Sequence, residues 1–319
     1  MSQLTLHDVL NRQSLEVDID DFGYTGEGFV RLADGWLSVP GALPGERVRV
    51  APEHPEHLNG RRIFARLVDV VSPSKDRRPP LCERDDVCRG CQLRHMSTRR
   101  ELEFKRRTIS EVVDKFAEIE PADQPDIEVV TPRPLRRADA HRIRSRLTYV
   151  PGESDGPLRL GLVSPVRSEP ISMGTCPALK EPTRRLVQYV ETSLSDALST
   201  IPEDGTERAF SHIDGIDVSS PVFGRGLIDV SVSDRRAPID AWLGDLSDAV
   251  PDNVGIAVSD GEHLSTVCGP EEMVLPIAGK RMAVTHHDWF PATIEPTEAI
   301  YNKALEWLDT PPDRSEERR

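Results

Sequence analysis

Between residues 14 and 71 the chain alternates apolar and polar positions in short runs, LEVDID, GFVRLADGWLSVP, ERVRVAP and IFARLVDVV, each stopped by glycine or proline. A period of two puts every second side chain on one face of a strand, so this segment predicts a small antiparallel β-barrel. GYTGEG at 23–28 has the glycine content of a phosphate loop, but no helical pattern follows it and a tight β-turn is the better reading. Pro73, Pro79 and Pro80 then mark a linker. Beyond residue 97 the period changes. Leu102, Ile109, Val112, Val113 and Phe116 recur at helical spacing, with Thr98-Arg99-Arg100-Glu101 as a capping box, which predicts an amphipathic helix reaching about residue 117. From 127 to 279 the strand-like runs RSRLTYV, LRLGLV, LIDVSVS and VGIAVSD alternate with a helical stretch at 181–198, the pattern of an α+β domain. A last helix near 296–308 places Tyr301, Leu305 and Leu308 on one face and runs into the polar PPDRSEERR.

A length of 319 residues allows two or three domains, and 37% hydrophobic content is enough to build their cores. No apolar run approaches a membrane span, and MSQLTLHDVLNRQ lacks the basic start and apolar stretch of a secretory signal, so no membrane association and a cytoplasmic location are expected. In that reducing compartment five cysteines favour metal binding over disulfides. The net charge of −14 speaks at first against a nucleic-acid partner. Its distribution reverses that. Residues 75–107 carry eleven Lys or Arg against six Asp or Glu, and residues 131–148 carry six against one. Cations gathered in two windows of an acidic chain are what a phosphate-binding face requires. A solvated charge run is the alternative, and because only six of the cations are lysine, the arginine bias fits a salt-rich cytosol or a high-GC genome as well.

Candidate chemistry lies in the same windows. Cys82, Cys88 and Cys91 fall within ten residues, in LCERDDVCRGCQLRH, and Cys176 follows in MGTCPAL. Thiolates spaced x5 and x2 on one loop can face a single centre, and a distant fourth completes a tetrahedral set suited to an iron–sulfur cluster or to zinc. Cys268 has no such company. Arg142, Arg144 and Arg146 alternate along a strand and so share one face, either as a rail for phosphates or as an ordinary salt-bridged sheet surface. Arg94 and His95, beside the cysteine loop, are further RNA-contact candidates, His95 having packing or capping as its alternative. Of Phe22, Tyr24, Phe29 and Trp36 in the barrel, one or two suit base stacking and the rest the core.

Together these motifs resemble the cluster-containing RNA (uracil-5-)-methyltransferases, the family that makes 5-methyluridine in 23S ribosomal RNA. Residues 14–71, with DDFGYTGEGFVRL and VPGALPGERVRV, look like that family's TRAM domain, an OB-like RNA-binding barrel. Cys82-x5-Cys88-x2-Cys91-Gln92-x2-His95 is similar to its cluster loop, and His141-Arg142-x-Arg144-x-Arg146-Leu147, Leu160-Gly161 and Cys176-Pro177 to its central domain. The resemblance implies that the four cysteines ligate a [4Fe–4S] cluster, that the partner is RNA, and that S-adenosylmethionine is the methyl donor. It also implies a layout: a TRAM-like β-barrel at 1–72, a linker and cluster loop at 73–96, the amphipathic helix at 97–120, an α+β central RNA-binding domain at 121–282 closing the cluster through Cys176, and the start of a methyltransferase domain at 283–319.

The pattern also departs from the family. No glycine-rich donor turn, nucleophilic cysteine or carboxylate base matches, and HDWFPAT carries Trp289, Pro291 and Thr293 where the family shows aromatic-x-Gln-x-Asn. The chemistry needs a thiolate to add to C6 of uracil and a base to remove the C5 proton. The expectation is therefore the RNA-recognition portion of such an enzyme, inactive alone, dependent on a separately encoded methyltransferase domain, with the apolar stripes of both helices incompletely covered. A free-standing, non-catalytic TRAM and iron–sulfur RNA-binding protein is the alternative.

Overall fold

The computed structural model describes residues 4–53, 61–79, 82–84, 88, 90–117, 119, 127–129, 140–150, 160–163, 170–199, 207–222 and 224–309, arranged in two compact units, Met1–Val129 and Val130–Arg319.

The first unit opens with the short helix α1 (Leu6–Leu10) and continues through β1 (Leu15–Asp18), β2 (Asp21–Phe22), β3 (Gly28–Arg31), β4 (Trp36–Val39), β5 (Arg47–Pro52) and β6 (Arg62–Ser72). The strands form one sheet in the order β1-β5-β6-β4-β3-β2. Strand β6 is long enough to pair with β4 at its start, in parallel, and with β5 over the remainder, antiparallel, so one strand joins both halves of the sheet. Two register shifts against β5 add the local twist that curls it. Alternation holds through the interior: Val17, Leu37, Val39, Val48, Val50, Ile63 and Ala65 point inward into one apolar cluster.

Helix α2 (Thr98–Phe116) follows. Its N-cap is Ser97, whose hydroxyl accepts from the Arg100 amide at 3.3 Å, so the Thr98–Glu101 box does not form. Asp76 decides this by holding Ser97 twice: the Ser97 hydroxyl donates to its carboxylate at 2.9 Å and the Ser97 amide to its carbonyl at 2.7 Å. The helix buries Phe104 with Phe22, Leu43 and Met96, while Ile109, Val112 and Phe116 stay exposed. The proline-marked stretch before it is pinned. Glu46, fully buried, accepts from Arg77 Nε and Nη2 at 2.5 and 2.6 Å and from the amides of Leu43 and Ser74 at 2.9 and 3.1 Å.

In the second unit come β7 (Arg144–Tyr149), β8 (Leu160–Val163), β9 (Pro170–Ile171), α3 (Glu181–Ser199), α4 (Glu207–Phe210), β10 (Ile213–Val222), β11 (Arg225–Val232), α5 (Ala237–Ala249), β12 (Val254–Ser259), β13 (Leu264–Cys268), β14 (Glu272–Ile277), β15 (Lys280–Thr285) and α6 (Ile294–Asp309). Seven strands make one sheet, β13-β12-β11-β10-β7-β8-β9, in which β11 and β12 run parallel, linked through α5. Its inner face, Ile216, Val218, Ile228, Val230, Val254, Ile256 and Val258, packs with Leu186, Val187, Val190 and Leu194 of α3 and Ile239, Trp242, Leu243 and Leu246 of α5. Each such side chain contributes about 1.5–3 kcal/mol on burial. The hairpin β14–β15 covers part of the other face through Met273, Leu275, Ile277 and Val284 against Ile143, Leu227 and Phe290. On α6, Ile300, Tyr301, Leu305, Trp307 and Leu308 are exposed, so the expected uncovered stripe is present on both helices. Among the described residues no helix is long and apolar enough to cross a membrane.

Burial pushes the Glu46 carboxyl up, but the Arg77 guanidinium and the two amides outweigh it and hold it below the usual carboxylate range. A lowered folded value means stability that is complete above the unfolded value of about 4.3 and lost as pH falls through the folded one. Glu46→Gln leaves Arg77 facing a neutral amide and should destabilise the first unit by about 3 kcal/mol. Urea melts from neutral pH downward should show the wild type converging on the variant below about pH 4.

Candidate nucleic-acid interface

Because Ser145, Leu147 and Tyr149 are buried, Arg144, Arg146 and Thr148 take the opposite face of β7. That face is the one the hairpin only partly covers. Strand pairing sets Arg146 opposite Asp217 on β10, and Asp217 opposite Asp229 on β11. Asp217 takes Arg144 through Nε and Nη2 at 3.1 and 3.0 Å and Arg146 through Nη1 at 2.9 Å. Two neighbouring carboxylates would repel unless each had a cationic or donor partner. Asp217 has the arginines, and Asp229 has the buried His286, whose Nδ1 lies 2.6 Å from its Oδ1. Two guanidiniums thus share the Asp217 carboxylate, while that of Asp229 is turned to His286.

The arginines of this row are not equivalent. Arg144 is the more buried and lies over the Phe290 ring, 5.2 Å from its centroid. Arg146 keeps 58% of its side chain exposed and lies against Gly215, where a Cβ would fall 2.8 Å from its Nη2. Arg142 acts through its backbone: its amide donates to Ala178 at 2.9 Å, its carbonyl accepts from Lys180 at 2.8 Å, and it bridges Thr293 on its other side. The Ile143 amide donates to Ala292 at 2.8 Å, so the HDWFPAT segment is docked on the start of the arginine strand, with Trp289 82% exposed. Arg94 is half-buried. His95 is 4% exposed, which favours packing over RNA contact. Arg133, Arg136 and Arg137 of the second basic window lie outside the described residues.

The cysteines are half-buried and form no disulfide among the described residues, with Cys82, Cys88 and Cys91 in the first unit and Cys176 in the second. Among the described residues no group of three or more His, Cys, Asp or Glu is arranged to hold a metal ion. The expected cysteine-ligated metallocluster is thus not shown among the described residues. Thiolate ligands are gathered by the ion they bind and repel one another without it, so spacing along the chain does not by itself close the set. Cys176 nevertheless sits in a well-held loop: Glu191 of α3 accepts from the Met173 amide and the Ser172 hydroxyl, both at 2.7 Å, and Gln188 donates to the Gly174 carbonyl at 2.7 Å. Cys268 lies on the edge strand β13 opposite Ile256, and burial pushes its thiol up, away from the thiolate a nucleophile needs.

Sequence reasoning did not single out Asp217, Asp229, His286 or Glu191. None stands in a local motif. The strict alternation of GIDVSS around Asp217 was the one signal that a charge on this strand would face the arginines.

No protein-family model matches the chain. Its relatives are RNA methyltransferases. It is 24% identical to an uncharacterized RNA methyltransferase of Clostridium tetani, over 91% of this chain and 63% of that protein. It is 22% identical to the 23S rRNA (uracil(1939)-C(5))-methyltransferase RlmD of Shewanella sediminis, over 93% of this chain and 63% of that protein. Among solved structures, the tRNA (uracil-54, C5)-methyltransferase of Pyrococcus abyssi, in complex with S-adenosyl-L-homocysteine, superposes with a TM-score of 0.62 at 15% identity, covering 91% of this chain and 64% of that one, and so shares its fold. The chain therefore spans just under two thirds of the length of these relatives. The alignments give no support to the expected non-catalytic form or to a separately encoded methyltransferase partner, and neither is carried further.

Removing Glu191 should loosen the Cys176 loop without touching the sheet. In Glu191→Ala, deuterium uptake at residues 172–176 is expected to accelerate about tenfold or more, the loss of charged hydrogen bonds to buried amides costing about 2 kcal/mol. Unchanged uptake there would show that the loop is held by its own packing.

Proposed function

We propose that this chain acts in the methylation of uridine at C5 in RNA, with S-adenosylmethionine as donor and ribosomal RNA as substrate. Its described residues would serve RNA recognition through the open sheet face that carries Arg144 and Arg146. The observation that carries this reading is the alignment with RNA methyltransferases over more than nine tenths of the chain, the Shewanella relative being a 23S rRNA enzyme. The fold shared with a uracil-C5 enzyme supports it, and the S-adenosyl-L-homocysteine in that enzyme's complex supports the donor. In this reading residues 1–72 are an RNA-binding barrel of the TRAM type, 73–96 a cysteine loop, 97–120 its following helix, 121–282 the central RNA-binding domain, and 283–319 the approach to methyl transfer. Arg146 contacts phosphate, Arg144 is held beneath it on Phe290, and Asp217 orients both. Arg94 and Arg142 are further candidates for RNA contact, each half-buried. The [4Fe–4S] cluster on Cys82, Cys88, Cys91 and Cys176 rests on spacing and resemblance alone.

Deleting the gene should remove one 5-methyluridine from ribosomal RNA, read by mass spectrometry, and the wild-type gene should restore it. An unchanged ribosomal profile with a loss in transfer RNA would move the substrate; no loss in either would refute the activity. In vitro, Arg144→Ala with Arg146→Ala should weaken RNA binding about tenfold and flatten the dependence of log affinity on log salt by about one unit. For the cysteines, protein purified without oxygen should carry about four irons per chain and absorb broadly in the visible, and Cys176→Ala should lose both. One zinc per chain, or no metal, would retire the cluster.

A further inference from the structure

The outward face of the barrel strands β3, β4 and β6 carries a lattice of aromatic rings and guanidiniums that the interface above does not use. Strand register fixes it. Leu37 is buried between Val30 and Ile63, so the residues on either side of each point outward. One outward row runs Arg31, Trp36, Arg62 and the next runs Phe29, Ser38, Phe64. Trp36 is 49% and Phe64 44% exposed. The rings and cations interlock: Phe29 meets Trp36 edge-on at 6.2 Å, Arg31 lies 5.9 Å over Phe29, and Arg62 lies 4.6 Å over Phe64. Arg62 is itself fixed, donating to Ser38 Oγ at 2.8 Å and pairing with the buried Glu27.

An exposed tryptophan and phenylalanine leave apolar surface in water at a cost in free energy. Here both stand on paired strands in adjacent rows, with the Arg62 guanidinium between them and Arg31 on the far side of Trp36. Strands lie about 4.8 Å apart, so Phe29 and Phe64, flanking Ser38, stand about 10 Å apart with the shortest side chain between them. Flat rings that accept a stacked base, beside cations that meet the intervening phosphates, form the surface to which a single strand of RNA is complementary. A duplex, whose bases are stacked on each other, cannot use the rings.

We infer that this face is a stacking platform for single-stranded RNA, taking unpaired bases on Trp36 and Phe64 and backbone phosphate on Arg31. The inference rests on the RNA reading above and adds the structural state of the RNA and the residues that select it. A probe of Trp36 is available within the chain: of the four tryptophans Trp242 is buried, so Trp289→Phe with Trp307→Phe leaves Trp36 as the solvent-exposed indole. In that background an unstructured RNA of about 10 nucleotides should quench fluorescence, and an abasic strand of equal length and charge should not. Trp36→Ala and Phe64→Ala should each weaken binding of the single strand about tenfold, with the salt slope unchanged, while Trp36→Phe retains most of the affinity. If both alanine variants bind as the wild type does while the Arg144 and Arg146 double variant binds weakly, the platform is wrong and the RNA reading stands. If the wild type binds no RNA at all, both fall.

Discussion

The apolar contact between α3, α5 and the seven-stranded sheet of the second unit is the constraint from which the candidate interface follows. Side chains on a strand alternate, so burying Ile216, Val218, Ile228 and Val230 under Trp242, Leu243, Leu246 and Val190 leaves the intervening residues no choice of face. Arg144, Arg146, Asp217 and Asp229 are turned to the other side by the packing of their neighbours. A slip of one residue in β10 would put Ile216 or Val218 where Asp217 now stands and turn that strand's apolar residues out of the core. Stability and surface chemistry are thus set by one register.

On that face the acidic residues act as organisers of the basic ones. Asp217 holds two guanidiniums, fixing their planes at the expense of half their charge. The arrangement reconciles the two readings of the arginine strand: it is a salt-bridged sheet surface, and it still presents the Arg146 guanidinium to solvent. A chain with a formal charge of −14 can offer phosphates a local anchor in this way, because at physiological salt charges beyond about 8 Å contribute little. The first unit applies the same device to the interior. Glu46 collects one guanidinium and two amides, tying β5 to the segment that leads into α2, while Glu27 steadies the exposed Arg62.

Under the proposed function the two units offer RNA different chemistry. The sheet face of the second carries guanidiniums, suited to backbone; the outer sheet face of the first is aromatic, suited to bases. Recognition that divides in this way positions through phosphates and discriminates through unpaired bases. It accords with relatives that modify a particular uridine in a large folded RNA.

Local pattern alone was enough for the strand-rich first segment, the helices at 98–116, 181–199 and 294–309, and the shared face of Arg144 and Arg146, because period and alternation are properties of neighbouring residues; the expected all-antiparallel pairing was wrong, since β4 and β6, distant in sequence, pair in parallel. The helix Ala237–Ala249 was not read from the sequence: it buries Ile239, Trp242, Leu243 and Leu246, and its weak amphipathicity leaves little periodic signal. What sequence could not decide was every relation between distant residues: that Asp76 makes Ser97 the cap in place of Thr98, that Asp217 claims both arginines, that His286 meets Asp229 across 57 positions, and that Trp36 and Phe64 stand exposed while Phe22 is buried against Phe104 of α2. The cysteine spacing belongs with these. Three thiols close in sequence suggest a centre, but whether a fourth, 85 positions beyond Cys91, joins them is a tertiary relation with no local signature.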